Sequence, residues 1–458
     1  MELVIRGGRV IDPESGLDKE VNIGIENGKI AKICESDIEG KETINADNMI
    51  VSPGFIDIHM HEDPVAKLKE EAENSSAIFE SLVRMGVTSA FGGNCGYSRF
   101  PLKPFFQDLE SKGIPLHYGS FSGYNTLREF VGVVDPYASI DEEQKISLHD
   151  NIRQELETGA VGLSIGFEYS PGISTREAIE AVKVAAEYKG KLISIHFRAD
   201  GHQAEESIEE MVEISRETGA AVQVSHIGSC AGFPGVMDKA LQIIDEARAE
   251  DIDIMGDCYP YHSFCTAIGT AVFDGGCFQR WGINYSSIYI AEGEYRGEYC
   301  TKELFEKLRE ESPETMVIGF SMDEEEIQKA IKHPLIMISS DGSFSLDQGH
   351  PRGAGAFPRV LGRFVREERK ISLMEALAKM TIVPARRLGL KNKGRISKGK
   401  DADLVLFDLE TIIDGADFNT PTRKPEGIKT VILKGVPAVR NENIVNYKAG
   451  RVIRLKDR

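Results

Sequence analysis

The chain has 458 residues, 41% hydrophobic and 28% charged, enough for one large α/β domain and a smaller one. Its net charge of −19, from 54 Lys and Arg against 73 Asp and Glu, argues against nucleic acid and anionic membrane surfaces as partners. No apolar run approaches the roughly 20 residues of a membrane span or a signal-peptide core, and seven scattered cysteines suit reduced thiols better than a disulfide framework, so a cytoplasmic protein is expected.

In chain order, residues 3–12 and 21–30 read as short strands, the second with an Asn27-Gly28 hairpin signal. Pro53-Gly54 then introduces the first of eight apolar β-type runs: 55–58, 87–91, 116–121, 160–165, 192–195, 221–224, 252–255 and 335–338. Helical patterns at 175–188, 205–218 and 237–249 fill most of the gaps. This alternation predicts an α/β fold, a TIM (β/α)8 barrel over 53–391, with a doubly wound open sheet as the structural alternative. The interval 258–334 is too long for a simple connection and holds an aromatic-rich insertion at about 264–300. Residues 403–408 and 430–435 read as strands again. The two ends, 1–52 and 392–458, are each too small for a core, so they should pair into one composite β-sandwich domain.

The chemistry gathers just past the strand ends. His59 and His61 follow the first run, and side chains two apart on a strand share a face. Run 2 leads into Gly93-Asn94-Cys95-Gly96, run 5 into His196, run 6 into His226 and run 8 into Asp341. Singly, each histidine would be a hydrogen-bonded core residue and the cysteine an inert buried thiol. Together, on the rim where barrel active sites lie, they point to a metal site. His117, His149, His202, His262, His333 and His350 lack that placement and read as structural. Four imidazoles and a thiolate favour zinc, and six groups exceed one tetrahedral site, leaving room for a second, weaker metal. A metal here would activate water and polarise a carbonyl, and Asp341 would carry the proton to the leaving group: metal-assisted hydrolysis of an amide-like bond.

On these residues the chain resembles the amidohydrolase superfamily, and within it the N-acyl-D-amino-acid deacylases (D-aminoacylases). The superfamily signs are the His59-Met60-His61 strand exit, His196, His226, Asp341 and the closing Gly394-Arg395-Ile396-Ser397-Lys398-Gly399-Lys400-Asp401-Ala402-Asp403. The branch signs are Gly93-Asn94-Cys95-Gly96, Gly166-Phe167-Glu168-Tyr169-Ser170-Pro171-Gly172, Ile195-His196-Phe197-Arg198, Tyr259-Pro260-Tyr261 and His350-Pro351-Arg352. The resemblance implies that Cys95, His196 and His226 hold a tight zinc, while His59, His61 and Asp341 share Cys95 in a weaker position. It implies that Arg352 binds the substrate's α-carboxylate, as a planar guanidinium does well, and that Tyr169 and Tyr259 contact substrate.

Relatives acting on cyclic amides carry a carboxylated lysine after strand 4; residues 160–169 contain none. Four positions depart from the family pattern near the substrate: Gly228 for a usual lysine, Cys265 for a serine, Tyr124 for a histidine, and Gly353-Ala354-Gly355 for a bulkier segment. The expected reaction is hydrolysis of an N-acyl-D-amino acid, a small-molecule substrate, with a homo-oligomer left open. The rivals are a cyclic amide or ureido hydrolase and a metal-free binding or assembly protein on the same fold.

Overall fold

Eight apolar runs become parallel strands in the computed structural model, which describes residues 1–63, 77–345 and 347–455. They are β1 (Phe55–Asp57), β2 (Val87–Gly92), β3 (His117–Ser120), β4 (Gly162–Gly166), β5 (Leu192–His196), β6 (Ala221–Val224), β7 (Ile254–Cys258) and β8 (Ile336–Ile338). One sheet joins β1, β2 and β3; another joins β8, β7, β6, β5, β4 and the short strand Ser122–Gly123. Backbone bonds link the two sheets at both edges. Val161 N donates to Ser120 O at 2.8 Å, and at the far side Asp341 N donates to His59 O at 2.8 Å and His61 N to Gly342 O at 2.9 Å. The architecture is α/β, with helices between the parallel strands as the sequence predicts.

The helices include α1 (Leu102–Lys112), α2 (Glu142–Thr158), α3 (Thr175–Ala186), α4 (Ala204–Thr218) and α5 (Met237–Ala249). In α2 a capping box satisfies the first turn, with Asp141 and Gln144 each accepting from the other's backbone N–H. Gly159, at φ 113°, ends it in a conformation that a side chain resists. Leu148, Ile152 and Leu156, four residues apart, bury one face.

β7 lies two residues later than its apolar run at 252–255 suggests. Residues 250–252 are taken by the end of α5, where Ile252 N donates to Ala247 O at 3.0 Å. That shift brings Asp257 and Cys258 into the strand. The stretch between β7 and β8 builds its own antiparallel sheet from Phe264–Ala267, Ile288–Ile290 and Met316–Gly319, the last of these beyond the expected insertion at 264–300.

Strands from both ends of the chain share one nine-stranded sheet. Its seam is the antiparallel pairing of Ile50–Pro53 with Leu404–Phe407. Alternation along that last strand serves two cores: Leu404 and Leu406 pack with Ile5, Val10 and Ile23, while Val405 and Phe407 join the core of the parallel strands. No helix among the described residues is long and apolar enough to cross a membrane.

Candidate metal centre

Six side chains leave the parallel strands at their carboxyl ends and converge. Cys95 Sγ lies 3.4 Å from His59 Nε2 and 3.3 Å from His226 Nε2, and His226 Nε2 lies 3.0 Å from His196 Nδ1. Asp341 Oδ1 is 3.1 Å from His61 Nε2 and 3.5 Å from His59 Nε2. His59, Cys95 and His226 have ligand atoms within 4.8 Å of one another, as do His59, His61 and Asp341. Cys95, His226 and Asp341 all sit at positive φ (54°, 31° and 48°), a strained state for residues with side chains and one that concentrates at functional sites. The close approach of the Cys95 loop to β4 needs Gly166, where a Cβ would stand 2.2 Å from Cys95 O.

Buried partners aim the ring nitrogens. Glu168 Oε2 lies 3.1 Å from His196 Nε2, turning Nδ1 inward, and Ser229 Oγ lies 2.7 Å from His226 Nδ1, turning Nε2 inward. Asp257 accepts from the His226 backbone N–H at 3.0 Å, from Ser339 Oγ at 2.8 Å and from Gln223 Nε2 at 3.0 Å. It also stands 3.2 Å from His59 Nδ1, a buried nitrogen without an aligned hydrogen bond. Asp57 plays a similar part under β8, accepting from Ser340 N at 3.0 Å and from its hydroxyl at 2.5 Å.

Burial opposes ionisation of the Cys95 thiol, yet the imidazoles of His59, His226 and His196 outweigh it and hold the thiol well below its ordinary value. Burial likewise opposes ionisation of Asp341, and Arg352, His226, His61 and His59 together hold its carboxyl well below the usual range. A thiolate, four imidazoles and a carboxylate with inward-facing lone pairs form a donor set that fits zinc.

Arg352 is buried beside this cluster. Its Nη1 is 2.8 Å from Asp341 Oδ2, its Nη2 donates to Cys265 O at 3.4 Å, and its guanidinium lies 4.6 Å from the Tyr259 ring centroid. Arg352 Nε has no hydrogen-bond partner among the described residues. The Tyr169 ring lies tilted against His196, centroids 4.6 Å apart, and its hydroxyl lies 3.4 Å from Thr266 Oγ1. Every candidate from the sequence therefore lines or borders one site.

Sequence reasoning missed Asp57, Asp257 and Glu168 as positioning groups. Only Asp57 carries a signal, an acidic residue inside the apolar run 55–58, where an unpaired charge would not persist, while Asp257 and Glu168 lie past the ends of the runs at 252–255 and 160–165. Gly228 also needs correction. A Cβ there would meet Ile327 Cδ1 at 2.8 Å and Cys258 Sγ at 3.0 Å, so the position faces packed side chains. Its glycine answers a packing demand, and Ser229 lines the cavity instead.

Models of the amidohydrolase family match residues 50–241 and 312–439. The chain is 31% identical to the N-acyl-D-glutamate deacylase of Alcaligenes xylosoxydans xylosoxydans, over 99% of this chain and 96% of that one. Among solved structures it resembles an N-acyl-D-glutamate deacylase from Bordetella bronchiseptica, complexed with zinc and a phosphonate mimic of the tetrahedral intermediate (TM-score 0.88, 29% identity, 99% of both chains). It also resembles a D-aminoacylase described as having a binuclear metal centre with one-metal activation and second-metal attenuation (TM-score 0.86, 26% identity, 99% of both chains). The chain belongs to the amidohydrolase family, in its N-acyl-D-amino-acid deacylase (D-aminoacylase) branch. It is an enzyme acting on C–N amide bonds.

Proposed function

We propose that this chain is a zinc-dependent deacylase that hydrolyses the N-acyl bond of N-acyl-D-amino acids. It works at the mouth of a closed (β/α)8 barrel formed by residues 53–391 and backed by a terminal β-sandwich of 1–52 and 392–458. The observation that carries this reading is the convergence of His59, His61, His196, His226 and Asp341 around the Cys95 thiolate, with a buried arginine 2.8 Å from the aspartate. Cys95, His196 and His226 would hold the tight zinc, and His59, His61 and Asp341, sharing Cys95, a weaker second metal. Bound zinc supplies Lewis-acid polarisation of the acyl carbonyl and an acidified attacking water.

The protein's own groups do the rest. Asp341 is ionised at neutral pH, so its carboxylate takes the proton from the attacking water and delivers it to the departing amine nitrogen. Arg352 offers Nε and Nη2 to the substrate's α-carboxylate, while its Nη1 holds Asp341 in place. Tyr169 and Tyr259 flank the bound substrate. β4, Gly162–Gly166, has no lysine to carboxylate, which favours amide cleavage over the ring-opening chemistry of cyclic amides. The enzyme is read as cytoplasmic and acting on a small molecule without nucleic acid or membrane partners.

The test is a panel of N-acetyl, N-formyl and N-succinyl D- and L-amino acids, with hydantoin and dihydroorotate, incubated with zinc-loaded protein. Release of the acyl acid from D-isomers is the expected result. Ring opening without acyl release would overturn the proposal.

A further inference from the structure

The carboxylate that aims His196 is itself held from outside the parallel strands. Glu168, in the turn after β4, puts Oε2 3.1 Å from His196 Nε2. Its Oε1 is buried and has no hydrogen-bond partner among the described residues. Arg280 faces that oxygen, with Nη2 at 3.6 Å. It sits on the short helix Cys277–Trp281, in the stretch between β7 and β8.

A second carboxylate fixes the guanidinium. Asp200, in the loop past β5, accepts from Arg280 Nε at 2.5 Å and from Trp281 Nε1 at 2.5 Å. Glu168 and Asp200 are only 6% and 4% exposed, so two buried acids share one cation. A planar fork suits that task, because its separate N–H groups can face two carboxylates at once. A buried carboxylate deprived of its cation is costly enough to turn toward water. If Glu168 turned away, His196 would lose the acceptor that sets its tautomer and leaves Nδ1 facing His226.

We propose that Arg280 is a positioning residue of the metal centre. It holds Glu168 as the acceptor for His196 Nε2, so the stretch between β7 and β8 sets how tightly zinc is held without supplying a ligand. The inference rests on the reading above that Cys95, His196 and His226 hold the tight zinc.

The experiment measures the zinc affinity of the full chain, stripped of metal and titrated with zinc against a chromophoric chelator. Arg280→Gln should weaken binding by at least about tenfold. Glu168→Gln should weaken it by a similar factor. Adding Arg280→Gln to Glu168→Gln should then cost less than about threefold more, because the two side chains act as one unit. Arg309 belongs to the same stretch and pairs with Asp274 at 2.6 Å, so Arg309→Gln should leave the affinity unchanged. Cobalt(II) absorption, which reads ligand geometry, should change in Arg280→Gln and not in Arg309→Gln. If Arg280→Gln fails to fold, Arg280→Lys replaces it in the same cycle, with an expected loss of at least about threefold. Wild-type affinity in the Arg280 variant, the same loss in the Glu168→Gln background, or an equal loss in Arg309→Gln would overturn the inference and leave the metal centre standing. Undiminished zinc binding in Cys95→Ala would overturn the ligand assignment itself.

Discussion

At Asp341 a carboxylate, two imidazoles and a guanidinium meet within 3.5 Å, and the consequences of single substitutions follow from that crowding. Asp341→Asn keeps the shape and removes the basicity, so turnover should fall by roughly 10²–10⁴-fold while zinc held through Cys95, His196 and His226 remains. Near-normal kcat with full zinc would exclude the proton-transfer role. Cys95→Ala removes the thiolate shared by both ligand groups. Its zinc content, read by elemental analysis, should collapse while circular dichroism stays that of a folded protein. Arg352→Ala should abolish the preference for an N-acetyl-D-amino acid over its primary amide, because in the wild type the amide leaves the buried Arg352 Nε without an acceptor, at a cost of about 1–3 kcal/mol. Equal kcat/KM for acid and amide in the wild type would remove the case for a carboxylate clamp. Cys95 and Asp341 were legible in the sequence because each lies just past an apolar run, and Arg352 through the family resemblance of His350-Pro351-Arg352. Asp57, Asp257 and Glu168 were not, because they act through another residue and their partners lie on distant strands.

Among the elements, α1 and α2 are joined by a buried carboxylate whose cost can be measured. Glu155, on α2 and 1% exposed, accepts from the Leu102 backbone N–H at 2.9 Å at the start of α1. Burial pushes its pKa up to about 7, against the opposing pull of that hydrogen bond. An acid whose folded pKa is raised holds its proton in the native state while the unfolded chain has lost it. Stability therefore falls as pH rises from about 4.3 through 7 and stays low above it. Glu155→Gln keeps an acceptor for Leu102 N and removes the charge. The variant should exceed wild type by about 1–3 kcal/mol at pH 8, the gap closing by pH 4.5. Urea denaturation at the two pH values checks this, and an equal gap at both would show that Glu155 is not the titrating group. The eight runs and their order were legible at this scale, but strand ends were less so. Apolar character alone starts β7 at residue 252, whereas the end of α5 claims that residue through Ile252 N. The sheet between β7 and β8 was hidden because its strands, Phe264–Ala267 and Met316–Gly319, pair across nearly fifty residues of sequence.

At the scale of the whole molecule, the terminal sheet and the parallel strands are tied by charge as well as by apolar surface. Asp403, at the head of the seam strand, ion-pairs with Lys393 and accepts from the Lys434 backbone N–H at 2.7 Å. Its Oδ1 also lies 3.4 Å from Nε2 of His117, the first residue of β3. All three side chains are buried, Asp403 at 4% exposure and Lys393 at 9%. Burial would raise the Asp403 pKa, but Lys393 and His117 outweigh it and hold the carboxyl far below the usual range. A carboxylate depressed in the folded state contributes stability that is fully present above its unfolded value of about 3.9 and is lost as pH falls through the folded one. Lys393→Met keeps the apolar stem and removes the cation, leaving His117 as the buried carboxylate's remaining side-chain partner. At pH 7 that loss should cost about 3–5 kcal/mol. The cost should shrink below about pH 4, where the variant's Asp403 takes up a proton instead. The double variant Lys393→Met/Asp403→Leu removes both charges and should recover most of the loss at pH 7. Denaturant unfolding of the three proteins, followed by far-UV dichroism and by Trp281 emission, reads both the magnitude and the coupling. Coincident transitions in the wild type that separate in Lys393→Met would mean that this pair holds the terminal sheet to the strands that carry the metal ligands. An unchanged midpoint in Lys393→Met would assign that task to the apolar contacts of Phe55 with Phe407 and Phe357 instead.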